Sequence, residues 1–278
     1  MPPQPPMQVR FWGVRGTIAV PGAETVRYGG DTACIEVDCG GRRVVFDGGT
    51  GIRKFGDRLL AAGAPADADI LFSHYHLDHV IGLPFFTPFY AGGHSFRLWG
   101  TNLLPQMNLE DMMRKIMSAP LFPIGIETFQ ARVSFHDFKI GEVLHLADGV
   151  AVRTAPLNHP GGSTGYRLDF AGRSVAYITD TEHVPGQLDA NVLALAKNAD
   201  LMIYDSTYTD EEFPNHVGWG HSTWQQAVRL AEAAGVKKVA IFHHDPARDD
   251  SALGVIEKAA QAMHPGALIA REGLELSL

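Results

Sequence analysis

Cysteine is scarce. The 278 residues hold two, Cys34 and Cys39. They lie five positions apart in one strand-like run, so their side chains should face opposite sides. That argues against a disulfide between them and for a reducing compartment, the cytoplasm. Long apolar runs are also missing. No stretch approaches about 18 apolar residues, which excludes an ordinary membrane-spanning helix. The opening MPPQPPMQVR has neither a basic region nor an apolar one, so no secretory signal is expected. Positive charge is in the minority, with Lys+Arg 23 against Asp+Glu 31 and a formal net charge of −8. That balance argues against a broad basic face for long nucleic acid. No repeat and no linker divides the chain. Its length suffices to bury a core without disulfides. A single domain over 8–278 is expected, after an unstructured lead-in at 1–7 that is proline-rich through Pro6.

Short apolar runs alternate with turns rich in glycine. The pattern predicts strands at Val9–Trp12, Cys34–Val37, Arg43–Phe46, Ile70–Phe72, Phe96–Trp99, Val150–Thr154, Gly165–Phe170, Ser174–Ile178, Leu201–Tyr204 and Lys238–Phe242. It predicts helices at Gly51–Ala62, Leu109–Met117, Leu188–Asn198, Thr223–Ala234 and Ala252–Met263. The early strands read as an antiparallel succession and the later ones alternate with helices. This suits an α/β (α+β) domain with two packed sheets and helices outside. The segment Thr101–Phe129 carries Met107, Met112, Met113 and Met117 with Pro105, Pro120 and Pro123. It reads either as a core-facing helix or as an adaptable lid, insertion or partner surface.

What the chain has in excess is histidine, 13 residues. The densest cluster is Ser73-His74-Tyr75-His76-Leu77-Asp78-His79, placed where a strand ends. In an extended segment His74 and His76 leave one face. Asp78 and His79 follow in the first turn of a helix. Imidazole and carboxylate together suit zinc, and also iron, manganese or cobalt. Four ligands this close can serve two neighbouring ions.

This HxHxDH arrangement resembles the metallo-β-lactamase superfamily, and the resemblance covers roughly 8–270. It implies an αββα sandwich, two mixed sheets flanked by helices, with metals at one edge. It carries three more ligands onto this sequence: His159 in Asn158-His159-Pro160, Asp180 ending Tyr177-Ile178-Thr179-Asp180, and His243 ending Ala240-Ile241-Phe242-His243. By that match His74, His76 and His159 hold one ion, Asp78, His79 and His243 the other, and Asp180 bridges them. His243 is preferred over His244 because it directly continues the strand. The implied cofactor is two divalent metal ions, zinc first, with manganese or iron as alternatives. Where the di-iron oxygen-reducing branch has glutamate, this chain has His76, which points to hydrolysis.

Asp205 and the His221-Ser222-Thr223 run resemble the acid–histidine pair of the phosphodiesterase branch, which includes ribonuclease Z and cyclic-phosphate phosphodiesterases. There the histidine helps protonate the leaving oxygen and the carboxylate orients it. Asp78, Asp205 and His221 are therefore the catalytic candidates. The turn Asp47-Gly48-Gly49-Thr50-Gly51 is expected either to meet an anion through its amides or to buttress the metal loop. Asp47 and Asp31 are candidate supports for a ligand histidine, and His183 a candidate pocket residue. Arg15, Arg27 and Arg53 are candidate anion contacts, with solvated surface as the plainer reading. His94, His136, His145, His216 and His264 carry no motif.

Ribonuclease Z enzymes bear a long arm that grips tRNA; here His159 to Asp180 leaves room for only one hairpin. The expected activity is metal-dependent hydrolysis of a small or cyclic phosphodiester. The alternatives are a lactonase, thioesterase or β-lactamase, a ribonuclease Z-like endonuclease, or a metal-bound sensor without catalysis. The resemblance also implies a homodimer.

Overall fold

The protein was analysed as a computed structural model, which describes residues 6–101, 103, 105–146 and 149–278. Most of the expected lead-in lies outside the described residues. The first strand already begins at Met7, whose side chain is fully buried.

The first half runs β1 (Met7–Gly13), β2 (Cys34–Cys39), β3 (Arg42–Phe46), α1 (Ile52–Ala61), β4 (Asp67–Leu71), α2 (Leu77–Val80), β5 (Ser95–Gly100), α3 (Leu109–Ile116) and β6 (Arg132–Asp137). The second half runs β7 (Val143–His145), β8 (Ala151–Leu157), β9 (Ser163–Phe170), β10 (Arg173–Ile178), α4 (Ala190–Ala196), β11 (Leu201–Asp205), α5 (Trp224–Ala234), β12 (Lys238–Phe242), α6 (Asp250–Met263), β13 (Ala267–Ile269) and β14 (Glu275–Ser277). Two seven-stranded sheets result, in the orders β14-β1-β2-β3-β4-β5-β6 and β13-β12-β11-β10-β9-β8-β7.

Each sheet is antiparallel on one side and parallel on the other. β1, β2 and β3 pair antiparallel, whereas β3 through β6 are parallel. β7 through β10 pair antiparallel, and β10 through β13 are parallel. The simple succession expected from sequence, antiparallel first and helix-linked later, is thus corrected to one change of mode within each sheet. Connection length explains it. Gly40 and Gly41, both left-handed, turn β2 back into β3. Parallel neighbours need a crossover, which α1, α3, α4, α5 and α6 supply.

Alternation along the strands creates three apolar layers. Phe11, Val37, Phe46, Tyr166, Tyr177 and Phe242 fill the space between the sheets, with Phe46 stacked on Tyr177 at 5.0 Å. Cys39 faces this layer, while Cys34 faces the helices outside the first sheet. Both thiols are free and buried. In the 101–129 segment, α3 and its C-cap residue bury Met112, Met113 and Met117 in that outer layer, and Leu121 in the following turn is exposed. No helix among the described residues is long and apolar enough to cross a membrane.

Candidate metal centre

Strands β3, β4, β8, β10, β11 and β12 all end at one edge of the sandwich. Just past those ends stand Asp47, His74, His159, Asp180 and His243, and Asp205 is the last residue of β11. The fold brings all seven expected ligands together. One set comprises His74, His76 and His159, and another Asp78, His79, Asp180 and His243; within each set the donor atoms lie within 4.8 Å of one another. In the first set the rings form a triangle, with centroid separations of 4.5, 4.8 and 4.9 Å.

Asp180 faces both sets. Its Oδ1 lies 3.7 Å from His74 Nε2 and 3.8 Å from His159 Nε2. Its Oδ2 lies 3.2 Å from His79 Nε2 and 3.3 Å from His243 Nε2. Asp78 Oδ2 is 3.2 Å from His79 Nε2 and 3.3 Å from His243 Nε2. A tetrahedral ion with bonds near 2.0–2.1 Å separates its ligand atoms by about 3.3–3.4 Å, so the second set already has that spacing. His74 Nε2 and His79 Nε2 are buried with no hydrogen-bond partner, a costly arrangement unless a cation accepts their lone pairs. The residues therefore fit a metal pair. His76 is exposed and leaves the first set open to solvent.

The remote ring nitrogens are held from behind. His79 Nδ1 is 2.8 Å from Asp47 Oδ2, and Asp47 also accepts from Ser73 N, Ser73 Oγ and the Tyr177 hydroxyl. His159 Nδ1 donates to Gly220 O at 2.8 Å. His243 Nδ1 lies 3.0 Å from Thr207 Oγ1, which donates to Asp205 at 2.8 Å. Such contacts fix ring orientation and tautomer. On the carboxylate side, the Thr17 amide donates to Asp78 Oδ2 and Thr179 Oγ1 to Asp180 Oδ2. Sequence reading missed Ser73, Thr17, Thr179, Thr207 and Tyr177, because only the fold brings them to the ligands.

Burial alone would push the Asp180 carboxyl up. The imidazoles of His243, His79 and His74 outweigh it and hold the group well below the usual carboxylate range. Asp78 is likewise held down by His79 and His243 against its burial. Burial, reinforced by His79, pushes His74 down and so favours the neutral imidazole that a ligand must be.

The backbone carries a further signature. Among the described residues other than glycine, six have a left-handed φ, and Thr17, Asp47, Asp180 and His243 are four of them. Such conformations cost energy and concentrate at functional sites. Gly16 belongs to the same construction, since a Cβ there would stand 2.2 Å from the His243 ring.

Asp205 and His221 meet beside this centre. His221 Nδ1 is 2.9 Å from Asp205 Oδ2, and its ring stacks on His243 at 4.8 Å. Burial pulls the His221 imidazole down, but Asp205, Asp180 and Asp78 outweigh it and raise it to about 9; bound cations would oppose those carboxylates. Ser222 and Thr223 have separate work: Thr223 caps α5, and Ser222 Oγ meets His183 Nδ1 at 2.8 Å.

Other expectations land elsewhere. Asp31 supports no ligand histidine; it accepts from Thr50 Oγ1 and pairs with Lys54 at 2.8 Å. Arg15 is neither an anion contact nor solvated. It is fully buried and donates to the carbonyls of Gly29, Asp245 and Arg248. Arg27 and Arg53 are exposed and pair with Glu257 and Asp57. The amides of 48–51 bond to His79 O, Ala33 O, Thr32 Oγ1 and Thr32 O, so this turn buttresses the metal loop and has no amide to spare for an anion. His183 lines a cavity of about 910 Å³ beside α5, with Phe213, Gln226 and Arg229. His244 is buried against Ala270 O, away from the ligands.

The sequence profile of the beta-lactamase superfamily domain matches residues 42–244. The chain belongs to the metallo-β-lactamase superfamily. It is 25% identical to a protein named Ribonuclease Z from Gemmatimonas aurantiaca, over 98% of this chain and 96% of that one. Among solved structures it resembles the metallo-β-lactamase fold protein YhfI from Bacillus subtilis, with TM-score 0.72 and 18% identity over 98% of this chain and 99% of that one. It also resembles a diphosphatase from the PhnP family, with TM-score 0.69 and 21% identity over 98% and 97% of the two chains. The superfamily's sandwich of two mixed sheets between helices is the architecture seen here.

Proposed function

We propose that the protein is a metal-dependent phosphodiesterase acting on a small or cyclic phosphodiester. The observation that carries this is the Asp205–His221 pair, 2.9 Å apart and set against His243. His74, His76 and His159 would hold one divalent ion and Asp78, His79 and His243 the other, with Asp180 between them. The nitrogen and oxygen donors suit zinc first, then manganese or iron. Two such ions supply hydroxide near neutral pH and stabilise charge developing on the phosphoryl oxygens. The residues do the rest. Asp205 orients the His221 imidazole through Nδ1, leaving Nε2 to give a proton to the departing alkoxide. An acyl hydrolase would share the metal ligands, so the ligand set alone does not discriminate and the reading rests on this pair.

Substrate size is argued from charge and loops. The chain carries a net charge of −8, and Arg15, a candidate anion contact, is spent inside the fold. Only Ala171 and Gly172 separate β9 from β10, where the resemblance places a tRNA-gripping arm. The ribonuclease Z likeness favours a second reading, an RNA endonuclease. The two free cysteines suit the cytoplasm.

The test is a panel on the metal-loaded chain: bis(p-nitrophenyl) phosphate, cyclic nucleotides, a precursor tRNA and a lactone. Turnover of the small diesters above a chelated control is expected. Two bound metals with no diester turnover would refute the proposal, and preference for the tRNA would select the second reading.

A further inference from the structure

We infer that Trp219 forms an aromatic subsite beside the metal centre, so that the preferred diester carries a nucleobase or aryl ring rather than a bare sugar. This rests on the phosphodiesterase reading above and narrows the small or cyclic phosphodiester that it names. Trp219 is 62% exposed. Exposure of one ring alone decides nothing, since single apolar side chains commonly face water; what sets this one apart is how it is held.

The indole is not on a loose loop. Gly218 and Gly220, with φ of 88° and 87°, bracket it. Their amides both donate to Glu182 Oε2, at 2.7 and 2.8 Å. Gly220 O accepts from His159 Nδ1, and a Cβ on Gly220 would stand 2.3 Å from that nitrogen. The loop is therefore pressed against a ligand histidine and tied to it. Trp219 sits one residue from this contact and two from His221.

Its ring is braced as well. It stands edge-on to His216, with centroids 5.1 Å apart and planes at 84°. His216 stacks on Tyr208 at 4.2 Å, and Tyr208 lies 6.2 Å from His221. His216 Nδ1 is fixed on Glu212 O at 2.9 Å. A file of aromatic rings thus runs from the acid–base histidine to an exposed indole whose position is set before a ligand arrives. Such a platform binds planar rings through stacking at little ordering cost.

The experiment compares adenosine 2′,3′-cyclic phosphate with glycerol 1,2-cyclic phosphate on the metal-loaded full chain. The wild type should prefer the nucleotide. In Trp219→Ala the ratio of kcat/KM between the two should fall about tenfold, the scale of one base–aromatic stack, with the loss in KM. Trp219→Phe should recover most of it. In parallel, adenosine 5′-monophosphate should quench indole fluorescence in the wild type and not in Trp219→Phe. An unchanged ratio, an equal loss on both substrates, or a change in sedimentation showing Trp219 to be a self-contact would overturn the subsite. If no diester is turned over, the phosphodiesterase reading fails, and the quench still decides whether an aromatic ring binds here.

Discussion

Replacing Asp47 by asparagine removes one charge and almost no volume. The backbone is a lesser concern: φ is 61° at this position, and asparagine adopts that conformation readily. The effect therefore comes from the side chain. Oδ2 accepts from Ser73 Oγ, His79 Nδ1 and the Tyr177 hydroxyl at 2.7–2.8 Å, and Oδ1 accepts from the Ser73 amide at 2.7 Å. An asparagine keeps three of these by turning its oxygen toward the triple site, but its NH2 then faces the Ser73 N–H. One bond is lost and two buried donor groups, the Ser73 N–H and the asparagine NH2, are stranded, at about 1–3 kcal/mol for each. The other three lose charge assistance, roughly 1 kcal/mol each. Relief of the buried charge offsets several kcal/mol of this, leaving a destabilisation of about 3–5 kcal/mol. His79 also becomes a poorer ligand, which weakens metal binding by about 10–100-fold. The loss should be larger for the ion that Asp78, His79 and His243 would hold than for its neighbour. Chelator competition resolved into two steps, alongside denaturant unfolding of the metal-free chain, measures both. If the two ions were weakened equally, or neither was, the assignment of Asp47 to His79 would be wrong.

His221→Ala should keep two metals per chain while kcat falls about 10²–10⁴-fold, the usual range for a lost general acid; equal loss of metal by elemental analysis would make His221 a ligand instead. Gly16→Ala should drive a methyl into the His243 ring, which Thr207 holds in place; a lower melting temperature, by about 1–3 kcal/mol in stability, together with substoichiometric metal, checks this. His244 is pushed down to about 3, chiefly by burial. The unfolded chain takes up that proton near pH 6.5, so the stability this residue contributes is complete above that pH and drains as pH falls toward 3. Between pH 6.5 and 5 the loss is about 2 kcal/mol, and urea unfolding of metal-free His244→Gln should show a correspondingly flatter pH dependence than the wild type.

The ligand cluster at 74–79 was legible because its spacing acts locally: a strand end followed by one helical turn sets those side chains whatever the rest of the chain does. His159, Asp180 and His243 were legible through the family resemblance, which their order and the apolar runs before them support. The edge strands were harder. β6 mixes Arg, Ser, His and Asp with Val and Phe, and β7, β13 and β14 span three residues each, too few to show alternation. Arg15 was misjudged because charge normally signals solvent; the carbonyls of Gly29, Asp245 and Arg248 that receive it come from distant loops.

By itself the sequence determined which side chains were available and which would leave a strand end together, since both follow from residue type and backbone period. Tertiary structure alone decided how those donors are spaced and held. The facing of Asp180 toward two sets of histidines, the left-handed turns at Asp47, Asp180 and His243, and the seating of Gly16 against an imidazole all depend on long-range packing. No local pattern encodes them, because each is a distance between segments that only the closed sandwich brings together.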